Sequence, residues 1–104
     1  MLLPVPQQFD WDEYNEIKIW EGHKVSTLEC EQLFLNRLLI KPDPEHSVTE
    51  LRYDALGETD SGRKLFVVFT IRDTLIRVIS ARNMTGKEKL RYEQAKKEDP
   101  KIQE

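Results

Sequence analysis

Lys64-Leu65-Phe66-Val67-Val68-Phe69-Thr70-Ile71-Arg72-Asp73-Thr74-Leu75-Ile76-Arg77-Val78-Ile79-Ser80-Ala81-Arg82 contains two runs rich in Val, Ile and Phe. These residue types fill a pleated, half-buried surface well. Asp73 lies between the runs and is tight-turn chemistry, so residues 64–72 and 74–82 read as an antiparallel hairpin. Strict alternation puts Arg77 with Leu75, Ile79 and Ala81, and Arg82 with Ile76, Val78 and Ser80. On that pattern the two arginines point to opposite faces. Upstream, Asp60-Ser61-Gly62 marks another turn, and residues 52–56 form a weaker strand. Leu38-Leu39-Ile40 is a short apolar run that ends at the loop signal Pro42-Asp43-Pro44.

Helical signals flank these strands. Asp10-Trp11-Asp12-Glu13 has capping-box spacing, followed by Tyr14, Ile17 and Trp20 at three-residue apolar spacing. This predicts a helix to about Glu21 that buries Trp20, with Gly22 as its stop. Ser26-Thr27-Leu28-Glu29 repeats the box before Cys30, Leu33 and Phe34, the apolar face of a second short helix. Thr85-Gly86-Lys87-Glu88 opens a charged last helix to about Lys97, with Glu88, Arg91, Tyr92 and Ala95 on one stripe. The order helix, helix, about four strands, helix defines an α+β domain of two layers. A length of 104 residues allows a single domain over 1–104, with a core of about 9–97 and fraying ends. Pro4 and Pro6 predict an extended lead-in.

Composition narrows the chemistry. The start lacks the basic and apolar regions of a secretory signal, and no run is long enough to span a membrane. Cys30, the only cysteine, excludes an internal disulfide and any cysteine-based metal site. It reads as a buried helix residue in a cytoplasmic protein. Residues 1–50 carry four Lys/Arg against ten Asp/Glu, and residues 51–104 carry twelve against nine. Halves of opposite sign leave two outcomes: a localised basic face, or charges that intermix on folding. No phosphate-binding glycine loop or GxSxG elbow is present, and no carboxylates have metal-site spacing. Neither a metal nor another cofactor is expected.

What remains is a density of arginine near acids, imidazoles and a phenol. RNA cleavage without a metal needs a base for the 2′-hydroxyl, cations for the phosphorane and an acid for the departing 5′ oxygen. Arginine suits the cationic role because its planar fork donates two bonds to two oxygens. The candidates are Arg52 and Arg82 as cations and His23 or Glu88 as proton-transfer groups, with Arg72, Arg77, Arg91 and Tyr92 as RNA contacts. His46, in its Pro-flanked loop, reads as solvent-facing.

Three ordered blocks carry a resemblance. Phe9-Asp10-Trp11-Asp12 precedes His23-x-Val25-Ser26; Asp43-Pro44-Glu45-His46-Ser47 precedes Glu50-x-Arg52 and Leu56-Gly57-Glu58-Thr59. Phe69-Thr70 then precedes Arg77-Val78-Ile79-Ser80-Ala81-Arg82, with Thr85, Glu88 and Tyr92. Over about residues 9 to 94 this pattern resembles the BrnT toxin family. The resemblance implies a RelE-like fold, ribonuclease activity and a cognate antitoxin, usually with a ribbon-helix-helix domain. DNA would then be bound only through the antitoxin. Many members of that family carry Lys and Asn on the first helix and Lys before the His, where this chain has Asn15, Ile19 and Gly22. The alternative reading is a non-catalytic module that only binds its antitoxin.

Overall fold

A computed structural model describes residues 3–4, 7–46 and 49–98. The end segments expected to be extended or frayed lie mostly outside these residues. The order is α1 (Glu13–His23), α2 (Thr27–Leu35), β1 (Leu38–Pro42), β2 (Tyr53–Glu58), β3 (Lys64–Arg72), β4 (Leu75–Asn83) and α3 (Gly86–Glu98), with a 3-10 turn at Pro44–His46. The strands form an antiparallel meander, β1-β2-β3-β4. The α+β class and element order agree with the sequence reading. The β3–β4 loop is the two residues Asp73 and Thr74, both at positive φ (49° and 66°), as a tight hairpin between twisted strands requires.

One sheet face carries the main core. Leu33 and Phe34 of α2 and Ile19 of α1 pack on Ala55, Leu65, Val67, Phe69, Ile76 and Val78. Gly57 lets α2 come close: a Cβ there would stand 2.9 Å from both the Leu33 and Leu38 side chains. Cys30 is fully buried on the same side, and burial, reinforced by Glu29 and Glu31, pushes its thiol up to about 12. It is packing, not a nucleophile. α3 crosses the opposite face at one end, where Tyr92 and Met84 close over Leu56, Leu39 and Phe66.

The first helix departs from the sequence expectation. Its N-cap is Asp12, in a capping box with Asn15, not Asp10. Asp10 is drawn away because its N–H donates to the Ile76 carbonyl, where Phe9 bridges the edge of β4. The helix also runs through Gly22, and Lys24 takes the left-handed cap (φ 55°). Tyr14, Ile17 and Trp20 face solvent, at 74%, 51% and 51% exposure, while Asn15 and Ile19 face the sheet. The expected burial of Trp20 is therefore wrong. Asn15 wins the inward position because its Nδ2 donates to the Asp10 and Val78 carbonyls, fixing the helix rotation.

Arg63 explains where α1 stops. Its Nη2 donates to the His23 carbonyl (3.0 Å), and its Nη1 to the Lys24 carbonyl (2.8 Å) and the Glu29 carboxylate (3.1 and 3.2 Å). Its Nε donates to Asn83 Oδ1 (2.9 Å). One side chain thereby joins both helices to the hairpin.

Two stability measurements follow. Leu33→Ala should lower the unfolding free energy by about 3 kcal/mol, whereas Trp20→Ala should change it by less than about 1 kcal/mol, both read from urea midpoints. Arg63→Ala should cost about 2 kcal/mol. Arg63→Lys should recover little of this, since an ammonium lacks the guanidinium fork.

Candidate nucleic-acid site on the open sheet face

The face opposite α1 and α2 is only partly covered by α3. Register places Leu39, Leu56, Phe66 and Arg82 in one row across it, and Lys41, Asp54, Val68 and Ser80 in the next. Leu39, Leu56 and Phe66 of the first row, with Lys41 and Asp54 of the second and Glu88 and Arg91 of α3, border a cavity of about 320 Å³. The second row and the 43–46 loop border a shallower one of about 620 Å³, which also reaches Arg52 and His46. The two cavities share Lys41, Asp54 and Phe66, so they form one continuous depression. Its size and its apolar floor with a charged rim are typical of ligand sites.

Strict alternation fails in β4. Val68 pairs with Ser80 but Phe69 pairs with Val78, so Ile79 is an extra residue in a β-bulge. A bulge resets the facing of everything beyond it. Arg77, which pairs with Thr70, returns to the same face as Ser80 and Arg82, correcting the expectation of opposite faces.

Arg82 lies over the Phe66 ring, 4.1 Å from its centroid. Its Nη1 and Nη2 donate to the Glu88 oxygens at 2.8 and 3.0 Å, a bidentate pair. Glu88 also completes the α3 capping box, accepting from the Thr85 N–H while its own N–H donates to Thr85 Oγ1. The Arg82 hydrogen bond holds the Glu88 carboxyl below its usual range despite partial burial, which works the other way. Such a carboxylate is a poor proton carrier and a good clamp. Arg52, Arg82, Glu88 and Arg91 thus gather around one surface.

The other candidates lie elsewhere. His23 ends α1 on the far side of the sheet, its carbonyl taken by Arg63. Arg72 is bonded twice to Glu50 at 3.0 Å. Arg77 reaches Asp12 (3.1 Å) and Asp10 (3.5 Å), anchoring the start of α1. Tyr92 is buried, and its hydroxyl donates to the Arg37 carbonyl. Arg63–Glu29, Arg72–Glu50 and Arg77–Asp12 each join the basic second half to the acidic first, so much of the charge asymmetry is consumed internally. Sequence reasoning missed Lys41 and Asp54 and set His46 aside. The alternation around Leu56 could have marked Asp54 as a polar residue on a sheet face, and His46 stands in one of the ordered blocks that carry the resemblance; nothing local marks Lys41.

An α+β domain with arginines around a half-open sheet face presents a surface suited to a polyanion. The sequence matches, over residues 11–88, the family model for the ribonuclease toxin BrnT of type II toxin–antitoxin systems. The chain therefore belongs to the BrnT family. A comparison with individually curated proteins gives no significant match. Among the described residues no helix is long and apolar enough to cross a membrane.

The pKa of Glu88 gives a test. A carboxyl lowered in the fold contributes stability above its unfolded value, near 4.5, and loses it as pH falls through the folded value. Glu88→Gln should therefore show a smaller drop in melting temperature than the parent between about pH 5 and 3. The parent should be the more stable at pH 7, by about 1 kcal/mol given the partial exposure of the pair.

Proposed function

We propose that this chain is a single-domain, RelE-like toxin that cleaves RNA internally without a metal and acts in the cytoplasm. A cognate antitoxin of ribbon-helix-helix type neutralises it, and DNA is bound only through that antitoxin. The observation that carries the reading is a depression lined by Lys41, Arg52 and Arg91, with Arg82 lying over Phe66, one of its lining residues. Cations there can meet the charge that builds on a phosphorane, the role a metal plays in other nucleases. Among the described residues no three His, Cys, Asp or Glu side chains are grouped to hold an ion.

Roles follow from surroundings. Arg82 is oriented by its bidentate pair with Glu88 and by the Phe66 ring it lies over, and a preoriented guanidinium costs little reorganisation when charge develops. Arg52 provides the second cation, and Glu88 positions Arg82. Leu39, Leu56 and Phe66 form an apolar floor against which a base can lie, with Arg91 at the rim. Arg72 and Arg77 act as structural ties in this reading, and the positions departing from the family pattern, Asn15 and Ile19, are buried away from the depression.

Purified protein should cut single-stranded RNA in EDTA. Arg82→Ala should slow cutting by ~100-fold or more with the circular dichroism spectrum retained. Expression in a bacterial host should arrest growth, and co-expression of the antitoxin should restore it. Full growth without antitoxin would favour the non-catalytic module.

A further inference from the structure

Cleavage at the 2′-hydroxyl needs one group to take a proton and another to give one. Glu88 is committed to Arg82 and to the α3 cap, and His23 stands outside the depression. The loop after β1 brings other titratable groups to its wall. His46 Nδ1 lies 3.1 and 3.0 Å from the two Asp43 oxygens. Asp43 in turn lies within hydrogen-bonding reach of Asp54. Asp54 Oδ1 is buried, with no hydrogen-bond partner among the described residues. All three side chains border the same cavity.

The two carboxyls are unequal. Burial, and then the charge of Asp43, raise the pKa of Asp54 against the opposing pull of Lys41 and His46. Burial also acts to raise Asp43, but the hydrogen bond and charge of His46 outweigh it and the net shift is downward. A more basic carboxylate thus stands beside a less basic one that grips an imidazole.

Resting on the ribonuclease reading above, we propose that Asp54 is the general base of RNA cleavage and that His46, held by Asp43, is the general acid. Asp54 takes the proton of the ribose 2′-hydroxyl. The 2′ oxygen attacks phosphorus, the bond from phosphorus to the 5′ oxygen breaks, and the Nε2 proton of His46 passes to that oxygen. The products are a 2′,3′-cyclic phosphate and a 5′-hydroxyl, with no other reactant consumed. Asp43 is a positioning residue: it fixes the imidazole through Nδ1 and accepts a hydrogen bond from Asp54 once that group is protonated. The other charges facing Asp54 are Lys41 on β1, Arg52 before β2 and Arg82 on β4. Glu88 and Arg91 face it from α3, and Lys18 of α1 stands at the rim.

The test compares cleavage of a short RNA with cleavage of the same RNA carrying sulfur in place of the bridging 5′ oxygen, which departs without a proton. Asp54→Asn should lose ~100-fold or more on both substrates, yet melt at a higher temperature than the parent at pH 7, because it removes a buried like charge from beside Asp43. His46→Ala should lose ~100-fold on the oxygen substrate and recover near-parental rates with sulfur. Cleavage by Asp54→Asn within about threefold of the parent would overturn this assignment and leave the ribonuclease reading standing. Sulfur rescue of Asp54→Asn in place of His46→Ala would overturn the division of roles. A parent protein that cuts neither RNA would overturn both readings.

Discussion

The fold turns on a single guanidinium. α1 ends against the start of α2, which brings the carbonyl end of one helix beside Glu29, the capping carboxylate of the next. Both are electronegative, and their approach is unfavourable without a cation between them. Arg63 supplies that cation, with donors left over to hold Asn83 at the end of β4. The helical hairpin is thereby locked to the β3–β4 hairpin, and Val25, Cys30 and Leu33 are carried into the core. Neither short helix would persist without that docking.

With α1 and α2 fixed on one face, the use of the other face is decided by α3. Tyr92 and Met84 seal one end of it, leaving the remainder open. The bulge at Ile79 matters here because it keeps Ser80 and Arg82 on the open face while Val78 and Ala81 stay in the core. A regular strand would have to sacrifice one set. The same irregularity turns Arg77 towards Asp10 and Asp12, so a residue that looks like a nucleic-acid contact becomes a clasp on α1.

Charge was legible in amount but not in use. The acidic first half and basic second half left open either a basic face or charges that intermix on folding, and Arg63, Arg72 and Arg77 each meet a carboxylate from the first half. The cations at the depression include Lys41, Arg52, Arg82 and Arg91, and only the last three stood out in the sequence. Lys41 and Asp54 come together only as neighbours across the β1–β2 ladder, and no local pattern reports a cross-strand register.

The sequence by itself determined the elements. The capping boxes at Ser26 and Thr85, two hairpin turns and the runs of Val, Ile and Phe state where most helices and strands form, because these signals act over three or four residues, whereas the first box was read at Asp10 and lies at Asp12. It also carried the family, through ordered blocks that survive as a pattern along the chain. Only the tertiary structure decided which way α1 faces, which arginines are structural and which residues meet in the depression. Those outcomes depend on long-range partners: Asn15 on Val78, Arg63 on the end of α1, Asp54 beside Asp43. A buried polar group must find its partner wherever the fold supplies one, and that requirement outweighs the apolar spacing of a single helix.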